Sequence, residues 1–262
     1  MANVATRQIV ERWLEDALGD AAQSSALNES RLICHHPLGN LIFETVRGSE
    51  VRKLFEPDAS AITRRQYFFL HEGNHIAVMD AGHTTETREP SAHYWLQIFR
   101  LEAGIVAETW FSGYARNVDW GALPREPTQR SGAEDTNKLV LRRWWEEMYS
   151  GHRIEELMPQ LAGPGYVRHE PTGSWVTTIP DHLNRVKGLY VSADDKPRPR
   201  WRYQTLAEGE YAVGWGTMRG YRGGASKDDE VYSWAQLFRF AEGKLVETWF
   251  PGWLIGVDWS ST

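Results

Sequence analysis

Apolar and polar residues alternate along much of this chain, most regularly in the stretch between residues 95 and 111. The run WLQIFRL from Trp95 to Leu101 places Trp, Gln, Phe and Leu on one face and Leu, Ile and Arg on the other. A period of two in a run rich in aromatic and branched residues is typical of a β-strand. The pattern then predicts a tight turn at 103–104 and a returning strand at 105–111, which together make a hairpin.

The same hairpin recurs 139 residues later. Residues 93–120 align with residues 232–259 without a gap, and thirteen of the 28 positions are identical. Solenoid units are ~20 to 50 residues long, so a match at this spacing indicates a duplicated domain instead. The segment 121–135 contains two prolines and two glycines, which favours a linker. We therefore predict a first domain at 1–121, a linker at 122–135 and a second domain at 136–262.

The remaining pattern predicts the same order of elements in each half. Apolar residues recur at helical spacing near the start of each half, over 4–22 and 139–148. Strands joined by glycine-containing turns precede each repeated hairpin. We expect an α+β fold with one strongly curved antiparallel sheet and covering helices per half. The other predicted elements are short helices at 49–55 and 181–190, strands at 62–71 and 74–85, and strands at 200–207 and 211–221.

Each hairpin also carries one charged pair. Folding about the turn glycine places Arg100 opposite Glu108, and it places Arg239 opposite Glu247. A carboxylate that is paired with an arginine is held ionised, which makes it a poor general base. We therefore interpret both pairs as cross-strand ion pairs rather than as catalytic groups.

The repeated hairpin carries a phrase that resembles a known family. FRLEAGIVAETW and FRFAEGKLVETW are similar to the closing hairpin of SnoaL-like proteins, the polyketide-cyclase branch of the NTF2-like superfamily. Upstream, the segment from Tyr166 to Gly173 resembles the family's H-x-P-x-G strand, and the segment from Cys34 to Gly39 is its counterpart in the first half. The likeness covers nearly the whole chain, and its motifs identify the fold better than the reaction.

The resemblance implies a cone-shaped α+β barrel in each half. We expect the two barrels to pack sheet to sheet as an internal pseudo-dimer, with further homo-oligomers left open. Many relatives carry acidic residues where this chain has Phe111 and Phe250, then Tyr114 and Trp253. The carboxylate that the family assigns to this hairpin in cyclases is therefore missing, which disfavours aldol cyclisation of a polyketide.

Composition excludes several functional classes. The formal net charge of −6 and the lack of Lys/Arg clusters argue against nucleic acid as a partner. No run of ~18 apolar residues could cross a bilayer, and the first residues lack the apolar core of a signal peptide. Cys34 is the only cysteine, so an internal disulfide is impossible and a reducing cytoplasm is favoured. We expect a soluble cytoplasmic protein that binds neither nucleic acid nor membrane.

The sequence lacks motifs for nucleotides, metals and activated serines, including Walker A, GxSxG and HExxH. We therefore expect no cofactor and no metal. What remains is a set of proton-handling side chains among apolar ones, which suits a closed pocket. Asp80 stands out because its neighbours on both sides are apolar, so its carboxyl is buried or faces a cavity. The candidate catalytic residues are Asp80, His83, Glu44 and His35, and the candidate substrate-binding residues are Arg64, Tyr67, Tyr94, Gln97 and Tyr114.

The second half lacks the most prominent of these groups. At the matching strand positions it has Gly216 in place of Asp80 and Arg219 in place of His83. We therefore expect its pocket to be weaker or idle. His83 lies three residues after Asp80, so the two share a face only if the strand bulges near Gly82.

Together these features suggest a cofactor-independent lyase, dehydratase or isomerase that removes a proton and eliminates a leaving group. A retro-aldol carbon–carbon cleavage that releases a small aldehyde needs the same pair of groups. The substrate would be a hydrophobic, hydroxylated aromatic molecule, because several tryptophans that differ between the halves could line pockets. The alternative is a non-catalytic small-molecule-binding or scaffold protein. The tryptophans in question are Trp175, Trp201, Trp215 and Trp253.

Overall fold

The computed structural model of the chain describes residues 2–18, 31–44, 54, 62–84, 91–127, 131–186, 200–220 and 230–260. The chain divides into two compact units, Met1–Glu126 (unit 1) and Pro127–Thr262 (unit 2). The helix predicted at 49–55 lies outside the described residues except for Leu54, as do residues 187–190 of the helix predicted at 181–190.

The described part of unit 1 contains a six-stranded sheet, which is preceded in the chain by one long helix. The strand order is β2-β1-β6-β5-β4-β3. All neighbours are antiparallel except β1 and β6, which are parallel, so the prediction of a purely antiparallel sheet is wrong at this pair. No hairpin joins these two strands, and the long stretch of chain between them is enough for the crossover that parallel pairing needs. The elements are α1 (Ala2–Leu18), β1 (Leu32–His36), β2 (Gly39–Phe43), β3 (Ile62–Glu72), β4 (His75–Thr84), β5 (Ser91–Glu102) and β6 (Ile105–Arg116).

Unit 2 repeats this order of strands, with β8-β7-β12-β11-β10-β9 and the short β13 beside β11. The pair β7 and β12 is again parallel. Helix α2 begins at Glu134, inside the predicted linker, and continues as a π-helical segment, Arg143–Tyr149. The elements are α2 (Glu134–Arg142), α3 (Ile154–Leu161), β7 (Ala162–Glu170), β8 (Gly173–Val176), α4 (Ile179–Val186), β9 (Arg200–Glu208), β10 (Tyr211–Arg219), β11 (Val231–Ala241), β12 (Lys244–Trp249) and β13 (Leu254–Ile255).

One face of the unit 1 sheet packs on α1. The helix presents Val10, Trp13 and Leu14 to this face, where the ring of Trp13 meets that of Phe99 edge to face at 5.0 Å. Along β4, this face carries residues 76, 78 and 80, because side chains alternate across a strand. We call it the inner face of unit 1, and the face with residues 77, 79 and 81 the outer face. Residues on both faces of this strand are buried.

The repeated hairpins occupy equivalent places in the two sheets. Strands β5 and β6 have the same positions in the strand order of unit 1 as β11 and β12 have in that of unit 2. Asp80 pairs with Trp95, and Gly216 pairs with the equivalent Trp234, so these two strand positions do correspond. The prediction of a helix-covered sheet in each half is confirmed, whereas pseudo-dimer packing stays a prediction. None of the described helices is long and apolar enough to span a membrane.

Candidate active site

Asp80 is a fully buried carboxyl on the inner face of unit 1. Its strand is formed by an apolar run that is buried on both sides, and this run carries the carboxyl out of reach of water. Arg65 of β3 donates from Nη1 to Asp80 Oδ2 at 3.2 Å. The other oxygen, Oδ1, has no hydrogen-bond partner among the residues that the structure describes. One oxygen of the carboxyl group is thus held, and the other makes no hydrogen bond to the described residues.

The surroundings of Asp80 favour its protonated form. Burial raises its pKa well above the ordinary value, and the nearby Arg65 opposes this only in part. Burial, with the charge of Asp80 adding to it, also raises the pKa of Tyr67 to about 12. Tyr67 lies opposite Asp80 in the pairing of β3 with β4. A carboxyl of raised proton affinity beside a neutral phenol can take up and return a proton.

A strip of aromatic rings extends from this carboxyl along the inner face. The guanidinium of Arg65 lies over the ring of Trp95 at 5.2 Å. Trp95 contacts the edge of Tyr114 at 5.1 Å, and Tyr114 contacts Phe111 at 5.0 Å. At its far end Phe111 stacks on His36 at 5.5 Å. Burial lowers the pKa of His36 although its bond to the Leu54 carbonyl opposes this, so the imidazole is neutral at pH 7.

Several predicted residues therefore lie on one face of unit 1. Tyr67, Gln97 and Tyr114 share the inner face with Asp80, as their pairing partners show. Gln97 is buried and donates from Nε2 to Thr109 Oγ1 at 2.8 Å. Its Oε1 has no partner within the described part of the chain.

Two predicted residues, His83 and Tyr94, lie away from the inner face. The pairing of β4 with β5 runs without a shift through Gly82, so His83 falls on the outer face. Tyr94 also lies there, where its hydroxyl donates to the Gly121 carbonyl at 3.0 Å and its ring stacks on Trp120. Tyr94 thus anchors the end of unit 1.

Glu44 and Arg64 are predicted residues at the two edges of the sheet. Glu44 follows the end of β2 and is exposed, with its carboxylate 3.7 Å from the guanidinium of Arg31. Arg64 pairs through its backbone with His83, and its side chain lies outside the described part of the structure. The arginine that reaches Asp80 is its neighbour, Arg65.

His35 belongs to a separate cluster on the outer face. Its Nε2 lies 2.7 Å from Glu108 Oε1, and its Nδ1 lies 2.7 Å from Asn40 Oδ1. Arg100 donates from Nε to the second oxygen of Glu108, also at 2.7 Å. The imidazole stacks on Trp110 with ring centres 5.2 Å apart. Glu108 is therefore held from two sides, by a histidine and by the arginine across the hairpin.

Unit 2 contains the same cluster. His169 lies 2.9 Å from Glu247, whose other oxygen accepts from Arg239 at 2.8 Å. The imidazole again stacks on a tryptophan, Trp249, and Ser174 contacts its second nitrogen. The predicted cross-strand ion pairs are thus present in both units. Because the cluster recurs where the inner faces differ, we interpret it as structural.

We expect Glu108→Gln and Glu247→Gln each to lower the free energy of unfolding by about 1–3 kcal/mol, since each removes a charged acceptor of two bonds. Burial alone would raise the pKa of Glu108, but the bonds from His35 and Arg100 outweigh it and hold the pKa below the ordinary value. Stability from Glu108 is therefore present above pH 4.5 and is lost as pH falls through its folded-state pKa. Urea unfolding at pH 7 measures the loss. The exposed Glu155→Gln is the control, and equal losses in all three variants would contradict the interpretation.

Arg65 is the site residue that sequence reasoning passed over, and of the adjacent pair His35 and His36 it chose His35 as the candidate. Both Arg65 and His36 are sequence neighbours of predicted residues, and His36 lies on the opposite face of the sheet from His35. Once Tyr67 is placed beside Asp80, alternation selects Arg65, two residues before it, and not Arg64. Within the part of the chain that the structure describes, no group of three or more His, Cys, Asp or Glu side chains is arranged to hold a metal ion.

No family model matches the chain, and no curated protein matches it. Among solved structures, one named as a SnoaL-like polyketide cyclase from Jannaschia sp. CCS1 is 18% identical to this chain. The match covers 47% of this chain and 89% of that chain, with a TM-score of 0.39. A protein named as a polyketide cyclase from Acidithiobacillus ferrooxidans is 21% identical over 44% and 86%, with a TM-score of 0.38. One named as a ketosteroid isomerase from Kribbella flavida is 14% identical over 46% and 81%, with a TM-score of 0.34. The neighbours include the family that the repeated hairpin resembles.

Proposed function

We propose that the protein is a cofactor-independent enzyme that performs acid–base elimination or isomerisation on the inner face of unit 1. The observation that supports this most strongly is Asp80, a buried carboxyl with one oxygen held by Arg65 and the other without a partner among the described residues. Groups with perturbed proton affinity inside a fold are concentrated at functional sites. Such a carboxyl, when it is ionised, is a stronger base than an exposed aspartate.

In the dehydration that we propose, Asp80 removes a proton from a carbon next to a carbonyl. The electrons of that C–H bond form a carbon–carbon double bond, and the bond to a hydroxyl on the adjacent carbon breaks. The neutral phenol of Tyr67 protonates the departing hydroxide, so water leaves, and the proton on Asp80 then returns to Tyr67. Isomerisation uses the same first step and returns the proton to another carbon. General acid–base steps of this kind each contribute about 10²- to 10⁴-fold.

The aromatic strip supports a hydrophobic, hydroxylated aromatic molecule as substrate. Trp95, Tyr114 and Phe111 pack edge to face with one another in the core of this face. A flat molecule that entered beside them would gain about 0.5–1.5 kcal/mol per ring contact beyond buried area. Gln97 adds a buried amide oxygen that can accept a bond from a substrate hydroxyl. The substrate would therefore lie along the strip with its reacting carbon at Asp80.

The proposal predicts turnover without any added cofactor or metal. A panel of β-hydroxy aryl ketones would be incubated with protein after exhaustive dialysis against a chelator, and loss of water would be followed by mass spectrometry. We expect the rate to survive dialysis within about twofold. Loss that added metal restores would show that the acidic and histidine groups are ligands. Tight binding of the panel without turnover would favour the alternative, a binding protein.

A further inference from the structure

Unit 2 contains a cleft whose chemistry differs from that of the inner face of unit 1. The cleft has a volume of about 340 Å³, and it opens between the helical start of the unit and its sheet. Its walls are mainly aromatic, and its polar lining comes from β7 and β11. The aromatic residues that matter here are Trp144, Trp145, Tyr149, Trp201 and Trp253.

The position that corresponds to Asp80 cannot hold a side chain in unit 2. A Cβ at Gly216 would lie 2.1 Å from the Arg202 carbonyl oxygen and 2.6 Å from the Tyr203 Cα, both backbone atoms. Where unit 1 has Arg65 over Trp95, unit 2 has Trp201 against Trp234, with ring centres 5.0 Å apart. The carboxylate–arginine pair of unit 1 is thus replaced by an indole, and proton abstraction as in unit 1 has no base at this position.

A different polar group faces the cleft. Arg168 is 5% exposed, and it donates from Nε to Glu170 at 2.7 Å and from Nη1 to the Tyr166 hydroxyl at 3.2 Å. Burial acts to lower the pKa of Arg168, but the oxygens of Tyr166 and Glu170 outweigh it, so the guanidinium stays charged. With a second bond from Nη2 to Glu170, the described contacts use three of its five N–H donors. Two donors remain, on a group whose charge Glu170 already balances.

Two of the aromatic walls are fixed in place before any ligand arrives. The Tyr149 hydroxyl lies 2.9 Å from Nε2 of the buried His182. The indole nitrogen of Trp201 donates to Ser150 Oγ at 2.9 Å. Side chains that are already ordered lose little entropy on binding, which favours affinity.

We propose that the unit 2 cleft is a second ligand site, which binds a flat aromatic molecule through a neutral oxygen acceptor such as a ketone. The acceptor takes the two remaining N–H donors of Arg168, and the rings lie against Trp201 and Trp253. A neutral acceptor fits better than an anion, because the Glu170 carboxylate already neutralises the guanidinium and would repel a second negative charge. The site goes beyond the elimination proposed for unit 1 and does not depend on Asp80.

The test uses the full chain labelled with 5-fluorotryptophan and the probe 2-acetylnaphthalene. The fluorine signals of Trp95, Trp201 and Trp253 are assigned by single Trp→Phe variants. We expect the Trp201 and Trp253 signals to shift saturably with the probe. The anion 2-naphthoate should bind at least fivefold more weakly, and 2-ethylnaphthalene, which lacks the acceptor, at least tenfold more weakly.

Variants separate this site from that of unit 1. Arg168→Lys keeps the charge but loses the planar donor pair, and we expect at least tenfold weaker binding. Trp201→Arg introduces the residue that unit 1 has at this position. Both this variant and Trp253→Ala should also weaken binding at least tenfold. They keep the proposal testable if Arg168→Lys does not fold. Asp80→Asn should leave the fluorine shifts unchanged. Shifts confined to the Trp95 signal, equal binding by Arg168→Lys in its folded form, or tighter binding of 2-naphthoate would each overturn the proposal.

Discussion

Replacing Asp80 by Asn lowers turnover at least about 100-fold, if this carboxyl is the base of unit 1. The amide keeps the shape of the side chain, and its oxygen can still accept from Arg65, but it cannot take up a proton. The rate would be measured with the fastest substrate of the aryl ketone panel. Asp135→Asn, the same chemical change at an exposed position of α2, serves as the control and should leave the rate within twofold.

Stability distinguishes this catalytic role from a structural one. The pKa of Asp80 is higher in the folded than in the unfolded chain, where it is near 3.8, so folding favours the protonated form. The stabilisation associated with that proton is fully present below pH 3.8 and is lost as pH rises through the folded-state pKa. Asp80→Asn should therefore unfold with a free energy equal to or above that of the wild type at pH 8. A variant that is unfolded, or one that turns over normally, would contradict the catalytic assignment.

Gly216→Ala should cost at least about 3 kcal/mol of unfolding free energy, which is large for the addition of one methyl group. The new Cβ would meet backbone atoms of Arg202 and Tyr203 at 2.1 and 2.6 Å, so the hydrogen-bonded backbone of β9 would have to move away from β10 along its length. Urea unfolding measures the change. The expected loss means that unit 2 could not acquire the carboxylate of unit 1 by a single substitution.

Gly163→Ala is the matched control for this prediction. Gly163 also lies in a strand of unit 2, but a Cβ there would make only ordinary contacts of 3.5 and 3.6 Å. We expect it to change the unfolding free energy by less than about 1 kcal/mol. A small loss in Gly216→Ala, similar to that in Gly163→Ala, would show that the two strands separate easily and that a side chain can enter.

The sequence predicted local features well because they depend on local patterns. The alternation of apolar and polar residues located the hairpin, and a turn glycine fixed its register. The sequence alone therefore placed Arg100 opposite Glu108, as the structure has it. The burial of Asp80 followed from its apolar neighbours, since a carboxyl inside a buried run has no route to water. The pairing of Asp80 with Trp95 and of Gly216 with Trp234 also agrees with the alignment of the two halves.

The sequence could not predict which side chains meet across strands that are distant along the chain. A pair of adjacent histidines always splits between two faces, and only the parallel pairing of β1 with β6 decides that His36 faces inward and His35 faces Glu108. Arg65 was missed for the same reason. The exposure of Glu44 depends on where β2 ends at the sheet edge, and a run of apolar letters does not reveal that edge.

The most direct test of the central claim is the titration of the Asp80 carboxyl itself. Protein labelled with ¹³C at the aspartate Cγ would be followed by NMR from pH 3 to pH 9, and Asp80→Asn would assign the signal by its loss. We predict that this signal titrates well above 3.8, because burial disfavours the carboxylate more than Arg65 stabilises it. A signal that titrates at or below 3.8 would mean that Arg65 dominates, that Asp80 is a permanently ionised partner of an ion pair, and that it is not the base.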